Sequence, residues 1–174
     1  MAMKLIATAN LNSGGTTGNT GLLITDIPQT YKDLLVVVNI RSARSGFETD
    51  GVGVAINQNG TSYNYVGIGV NGTGIANLNN SYESFWGGMQ PSVLNSTSVF
   101  SCEEIYIPNY TSSFNKSYIQ TTAAVNNINS GASQLSHTAS VHSSASLPLT
   151  SLRIQSATSN GLAQYSAIWI YGIN

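Results

Sequence analysis

Apolar residues recur along this chain in short alternating runs, broken every eight to twelve residues by Gly, Asn, Ser, Thr or Pro. Segments 3–11, 51–57, 63–70, 99–108, 116–127, 134–144 and 150–157 read as strands, with clear alternation in 51–57, 99–108 and 150–157. In that alternation Ile105 and Ile107, or Leu152 and Ile154, share one face of an extended strand. Segment 22–33 starts as a strand and turns at Pro28. Segment 34–43, LLVVVNIRSA, is apolar on both faces, which predicts a central strand covered on each side. Asn59-Gly60 predicts a hairpin joining 51–57 to 63–70, and Asn71-Gly72 predicts a second tight turn. Residues 75–98 mix aromatics with Asn and Gly without a period and are read as a long loop with room for one strand. The closing stretch YSAIWIYGIN, 165–174, alternates again, with Ile168 and Ile170 inward and Trp169 and Tyr171 outward.

Eight to ten short strands, with no amphipathic helical period, predict an all-β fold: an antiparallel β-sandwich of jelly-roll type. The 174 residues suit a single domain, 1–174. Composition supports strands and turns. Only 7% of residues are charged, against about 25% in ordinary domains. The deficit is filled by 24 Ser, 16 Thr, 19 Asn and 17 Gly, all poor helix formers. The six basic residues are scattered and the net charge is −1. Nucleic-acid binding needs a positive footprint and is not expected. A surface so poor in charge lacks the self-repulsion that keeps proteins apart, so much of it is expected to lie against neighbouring subunits. MAMKLIATANLNSGG lacks the apolar core of a signal peptide, and no apolar run approaches a membrane span.

The residues that carry chemistry are few. Cys102 has no partner for a disulfide and is read as a small buried hydrophobe. His137 and His142 are five apart, hence on opposite faces of a strand, and no cluster joins them into a metal site. They are read as solvent-facing or interface residues. FETDGVG, 47–53, lacks the ligand spacing of a calcium loop and is read as a polar turn. Glu103 and Glu104 are adjacent and cannot serve one catalytic site from a strand. No nucleophile elbow or phosphate loop occurs, so no catalytic residue, metal or cofactor is expected. Aromatics remain. Tyr63, Tyr65, Tyr82 and Trp86 are candidates for glycan or protein contact, and Trp169 and Tyr171 for a subunit interface.

Several segments resemble small virion proteins of tailed phages. In ITDIPQTYKDLLVVVNIRSA the residues Ile27, Pro28, Thr30, Tyr31, Leu34 and Arg41 match a strand followed by IP-x-TY-x-x-L and a hydrophobic strand ending in Arg. AINQNGTSYNYVGIGVNG, 55–72, is similar to the hairpin that follows in those proteins. IYIPNYTSSFNKSYIQ, 105–120, is similar to their strand, Pro, Tyr turn, Lys and strand. IWIYGIN, 168–174, is similar to their hydrophobic-Tyr-Gly-Ile ending, whereas residues 75–98 have no counterpart. The resemblance implies a jelly-roll virion protein, usually a homotrimer, made in the host cytoplasm and placed on the capsid as a decoration or head-fibre module, or on the tail as a receptor-binding tip. The expected function is therefore non-enzymatic: decorating or cementing the capsid by homotrimeric assembly, with the major capsid protein or other virion proteins as partners. The alternative is a tail adhesin recognising a host surface glycan. A glycan-cleaving enzyme is a weaker third reading, for want of a carboxylate pair.

Overall fold

The structure, a computed structural model, describes residues 2–16, 20–57, 63–71, 74–82, 88–94, 98–124, 133–142 and 147–174. The described residues form twelve strands: β1 (Met3–Asn10), β2 (Leu22–Ile24), β3 (Asp33–Asn39), β4 (Thr49–Ile56), β5 (Tyr63–Asn71), β6 (Gly74–Tyr82), β7 (Gly88–Pro91), β8 (Cys102–Ile107), β9 (Lys116–Ala124), β10 (Gln134–His142), β11 (Leu152–Ser156) and β12 (Ala167–Ile173). They make two antiparallel sheets. One has eight strands in the order β1-β12-β3-β8-β9-β10-β5-β6, and the other four in the order β2-β11-β4-β7. The expected all-β antiparallel sandwich is the fold.

The pairing is nested. β1 pairs with β12, β2 with β11, β3 with β8 and β4 with β7, so the chain closes like one long hairpin. Lateral pairs β12 with β3 and β11 with β4 then roll that hairpin into two layers. β5–β6 and β9–β10 extend the larger sheet beyond β8. Between the layers lie Leu34, Val36, Val38, Val52, Ile56, Ile105, Ile107, Leu152, Ile154, Ile168 and Ile170, all fully buried. Each contributes about 1.5–3 kcal/mol relative to exposure.

The matched segments meet at one end of this core. Ile27 is buried; the Tyr110 hydroxyl donates to the Pro28 carbonyl, and Gln29 Nε2 donates to the carbonyls of Ile27 and Leu149 at 2.8 Å. Asp33 is buried and accepts from the Tyr106 hydroxyl and the Asn109 amide, both at 2.8 Å. The buried ammonium of Lys116 donates to the carbonyls of Ser112 and Phe114 at 2.6 Å, closing the 109–115 turn. The ring of Tyr31 lies flat on Gly172: a Cβ there would sit 2.3–2.6 Å from three ring carbons. Thr-Tyr near the start and Tyr-Gly-Ile at the end are thus two halves of one contact.

Four expectations fail. β4 and β5 lie in different sheets, so Asn59-Gly60 does not join a hairpin; residues 58–62 themselves are outside the described residues. β4 is buried on both sides and finds its partners β11 and β7 across the roll, which no local turn signal encodes. At the second predicted turn β5 and β6 pair up to Asn71 and Gly74, residues 72–73 between them lying outside the described residues. Residues 75–98 are not a long loop: they hold β7 and most of β6, whose partner β5 supplies the order that the local pattern lacks. FETDGVG is not a turn, since 49–53 opens β4. Finally, β3 is covered on one side only. Leu34, Val36 and Val38 face the core, while Leu35 and Val37 face away and are half-buried by lateral neighbours.

Gly172→Ala should lower unfolding free energy by about 1–3 kcal/mol, the usual cost of overpacking. In urea titrations, Tyr31→Ala should absorb most of that loss in the double variant. Full additivity would rule out the ring-on-glycine contact as its source.

Candidate interaction surface

The outward face of the eight-stranded sheet follows from register alone. One row of opposed residues runs Leu5, Tyr171, Leu35, Tyr106, Ile119, Ala139, Val66 from β1 to β5. The next runs Thr8, Trp169, Val37, Glu104, Thr121, His137, Ile68. A third, shorter row holds Cys102, Ala123, Leu135 and Val70. Val66 and Ile68 are 62% and 60% exposed, and Leu135, Val141 and Ile119 are also open to solvent. Among the described residues of these strands, Glu104 is the one solvent-exposed charged side chain on this face, and His137 accompanies it two strands away. Exposed apolar side chains clustered in this way make the face a candidate interaction surface.

The surface is not flat. A cavity of about 390 Å³ opens onto it, floored by Ile119 and Ala139 between Tyr106 and Pro108 on one side and Val66 and Val141 on the other. The Tyr106 ring is held by its bond to Asp33, which together with burial raises the phenol above its ordinary range. His137 Nδ1 lies 2.9 Å from Thr121 Oγ1. Glu104 flanks Thr121 rather than His137. A nucleophile–base–acid relay needs the imidazole between the other two, so this trio is not one.

Trp169 and Tyr171 lie in these rows, half-buried, with Ile168 and Ile170 on the core side. The other candidates are not brought into a describable site. Tyr63 is paired in register with Tyr82 and with His142, and Tyr65 with Ser140, but only their backbones belong to the described structure. Trp86 lies outside the described residues. Cys102, expected to be buried, is exposed. β8 presents it on the same face as Glu104, whereas Glu103 takes the inward position. The histidines do take opposite faces, but His142 is buried rather than solvent-facing. No group of three metal-ligating side chains occurs among the described residues.

Two buried carboxylates face inward, and sequence reasoning assigned a role to neither. Asp50 is fully buried, and its oxygens accept from Ser42 and Ser156 at 2.6 Å, Thr158 at 2.8 Å and the Gly51 amide at 2.9 Å, with Arg44 at 3.6 Å. This satisfied anion ties the ends of β4 and β11 to the segment after β3. Glu103 is poorer in partners: Ser101 Oγ at 2.9 Å and Gln120 Nε2 at 2.8 Å. Burial pushes its carboxyl up to about 7, offset in part by those two bonds and by Thr122. Gly88 of β7 seals it: a Cβ there would fall 2.3 Å from Gln120 Nε2, 2.6 Å from Thr122 Oγ1 and 2.9 Å from Glu103 Oε2. A raised carboxylic acid is a common catalytic signature. Here the carboxyl is shielded from solvent and does not line the cavity on the outer face. What it can do is hold a polar layer together in its neutral form.

No family model matches the chain, and no curated protein matches it. Among solved structures it is similar to SCP-B, a member of the eqolisin family of peptidases in complex with the tripeptide Ala-Ile-His. That match has 14% identity, covers 91% of this chain and 64% of that one, and has a TM-score of 0.24. It is also similar to a legume lectin-like domain from Entamoeba histolytica, at 9% identity, coverage of 99% and 89%, and a TM-score of 0.19. A third, the mannan-recognising carbohydrate-binding module TmCBM27, shows 10% identity, full coverage of both chains and a TM-score of 0.18. The chain spans 64% of the length of the first of these. Likeness at this level carries no functional argument.

Glu103 sets a pH dependence. Between its ordinary value of 4.5 and about 7 the folded state holds a proton that the unfolded state has lost, so stability falls as pH rises through that window. The loss amounts to roughly 3 kcal/mol at completion. Glu103→Gln should flatten the profile and raise the urea midpoint at pH 8 relative to the native protein, leaving pH 4.5 little changed. Parallel pH profiles for the two proteins would contradict this.

Proposed function

We propose that this protein is a non-enzymatic structural module of a phage virion, a jelly roll that decorates or cements the capsid by binding copies of itself and other virion proteins. One observation carries the reading: the outward face of the eight-stranded sheet is rich in exposed apolar side chains, carries a single exposed charge, and has no covering layer among the described residues. β3 is apolar on both faces, yet its own fold covers only one of them. The remaining cover belongs to another protein. Such a contact draws little on charge and is insensitive to salt. The nested pairing of β1, β2, β3 and β4 with β12, β11, β8 and β7 supports the jelly roll, with β5–β6 and β9–β10 as inserted hairpins. The segments that carry the phage resemblance converge around Tyr31, Tyr110 and Gly172, where their residues hold one another. The homotrimer stands on that resemblance alone.

Host-glycan recognition is the second reading. The cavity beside Tyr106 and Pro108 offers an aromatic wall of the kind that sugars stack on.

Light scattering and co-sedimentation with capsids test the first reading. The purified chain should run as a multiple of its 18.3 kDa mass and pellet with capsids that lack it. Trp169→Ser should weaken assembly at least tenfold while keeping the circular dichroism of the native sheet. A monomer that never pellets with capsids, yet retains a glycan on an array, would move the reading to the adhesin.

A further inference from the structure

The outward face has the properties of one half of a symmetric contact. The seven strands from β12 to β6, six to nine residues long and about 4.8 Å apart, present roughly 800–900 Å². That is the area each partner contributes to a stable, standard-sized interface. The face is also arranged symmetrically about β9. On one side of Thr121 stands Glu104, on the other His137. On one side of Ile119 stands the large Tyr106, on the other the small Ala139.

We infer that the occupant of this face is a second copy of the same chain, packed sheet against sheet about a two-fold axis that runs along β9. This axis keeps each row in place and exchanges β8 with β10. Glu104 of one copy then meets His137 of the other, twice. Tyr106 and Pro108 of one copy stand over Ala139 and Val141 of the other and enter the cavity that Ile119 and Ala139 floor. Val37 meets Ile68, Leu35 meets Val66, and Ile119 meets its own counterpart on the axis. A single self-complementary patch closes by a two-fold operation, whereas a three-fold ring needs a second, different patch to receive it. The face's one exposed charge and its one histidine become partners only under this axis. The inference rests on the proposed assembly role only in taking the face to be covered, and it specifies two-fold rather than three-fold contact there.

The test is mass against concentration by sedimentation velocity, with the full chain. The native protein should sediment at twice the chain mass in the micromolar range. Ala139→Arg should be monomeric with an unchanged urea midpoint. Glu104→Lys and His137→Glu should each weaken dimerisation at least tenfold, and the double variant, which restores opposite charges across the axis, should recover most of the loss. In a Cys102→Ser background, Thr121→Cys on the axis should be joined to its copy by a short bis-maleimide. Val66→Cys, whose two copies would be about 20 Å apart, should not. A monomer at hundreds of micromolar, a trimer indifferent to Ala139→Arg, or failure of the charge reversal to rescue would each overturn the inference. Dimers of this kind that never associate with capsids would leave it standing and remove the virion role. Capsid binding by the Ala139→Arg protein at native affinity would leave the virion role and remove this contact from it.

Discussion

The insertion of the last strand between the first and the third organises everything else in this molecule. β12 pairs on both edges, with β1 and with β3, so residues separated by most of the chain must meet before the large sheet has a centre. The entropy of closing so long a loop grows only with the logarithm of its length. What the arrangement demands instead is a close fit at the junction. Gly172 meets that demand by leaving room for the ring of Tyr31, and Lys32 closes the same corner through its backbone bond to Ile173 at 2.9 Å. Once β12 is in place, Ile168 and Ile170 complete the core, and the other three nested pairs fall into line on either side.

A fold built with so few charges handles them one by one. Asp50 is surrounded by hydroxyls and an amide and works as a clasp between elements. Lys116 is buried against carbonyls of a turn, and burial lowers its pKa. Glu103 has fewer donors, lies under a glycine, and is most stable neutral. All three were spent on holding the chain together. The surface is left with long uncharged stretches, and the largest described one is the outward face of the eight-stranded sheet. The same strands build the core with one face and leave apolar side chains exposed on the other, because successive residues of a strand point to opposite sides.

Strand identity was legible where a strand carries its own signal. β8, β11 and β12 show their inward residues in the sequence, and the structure buries those residues. β6 and β7 carry no such signal: GIANLNNSY and GMQP are ordered by their neighbours β5 and β4. Cys102 shows the same limit at a single residue. Small and sulfurous, it reads as buried, yet the phase of β8, set by Ile105 and Ile107, turns it outward. The interface candidates Trp169 and Tyr171 were readable as outward residues. That they stand in continuous rows with Leu35, Val37, Tyr106 and Ile119 was not, since those rows join four strands, from β3 to β12, that span most of the chain.

By itself the sequence determined that the chain is all-β, where most of its strands lie, which residues of β8, β11 and β12 face inward, and that the chain is short of charge. These depend on local period and composition, which each segment carries within itself. Only the tertiary structure decided which strands are neighbours. Pairing energy is nearly the same for any two extended segments, so the choice between a hairpin at Asn59-Gly60 and a partner a hundred residues away is made by what the whole core can bury. That choice lines up side chains from distant strands, and with them it created both the sealed layer around Glu103 and the uncharged outer face.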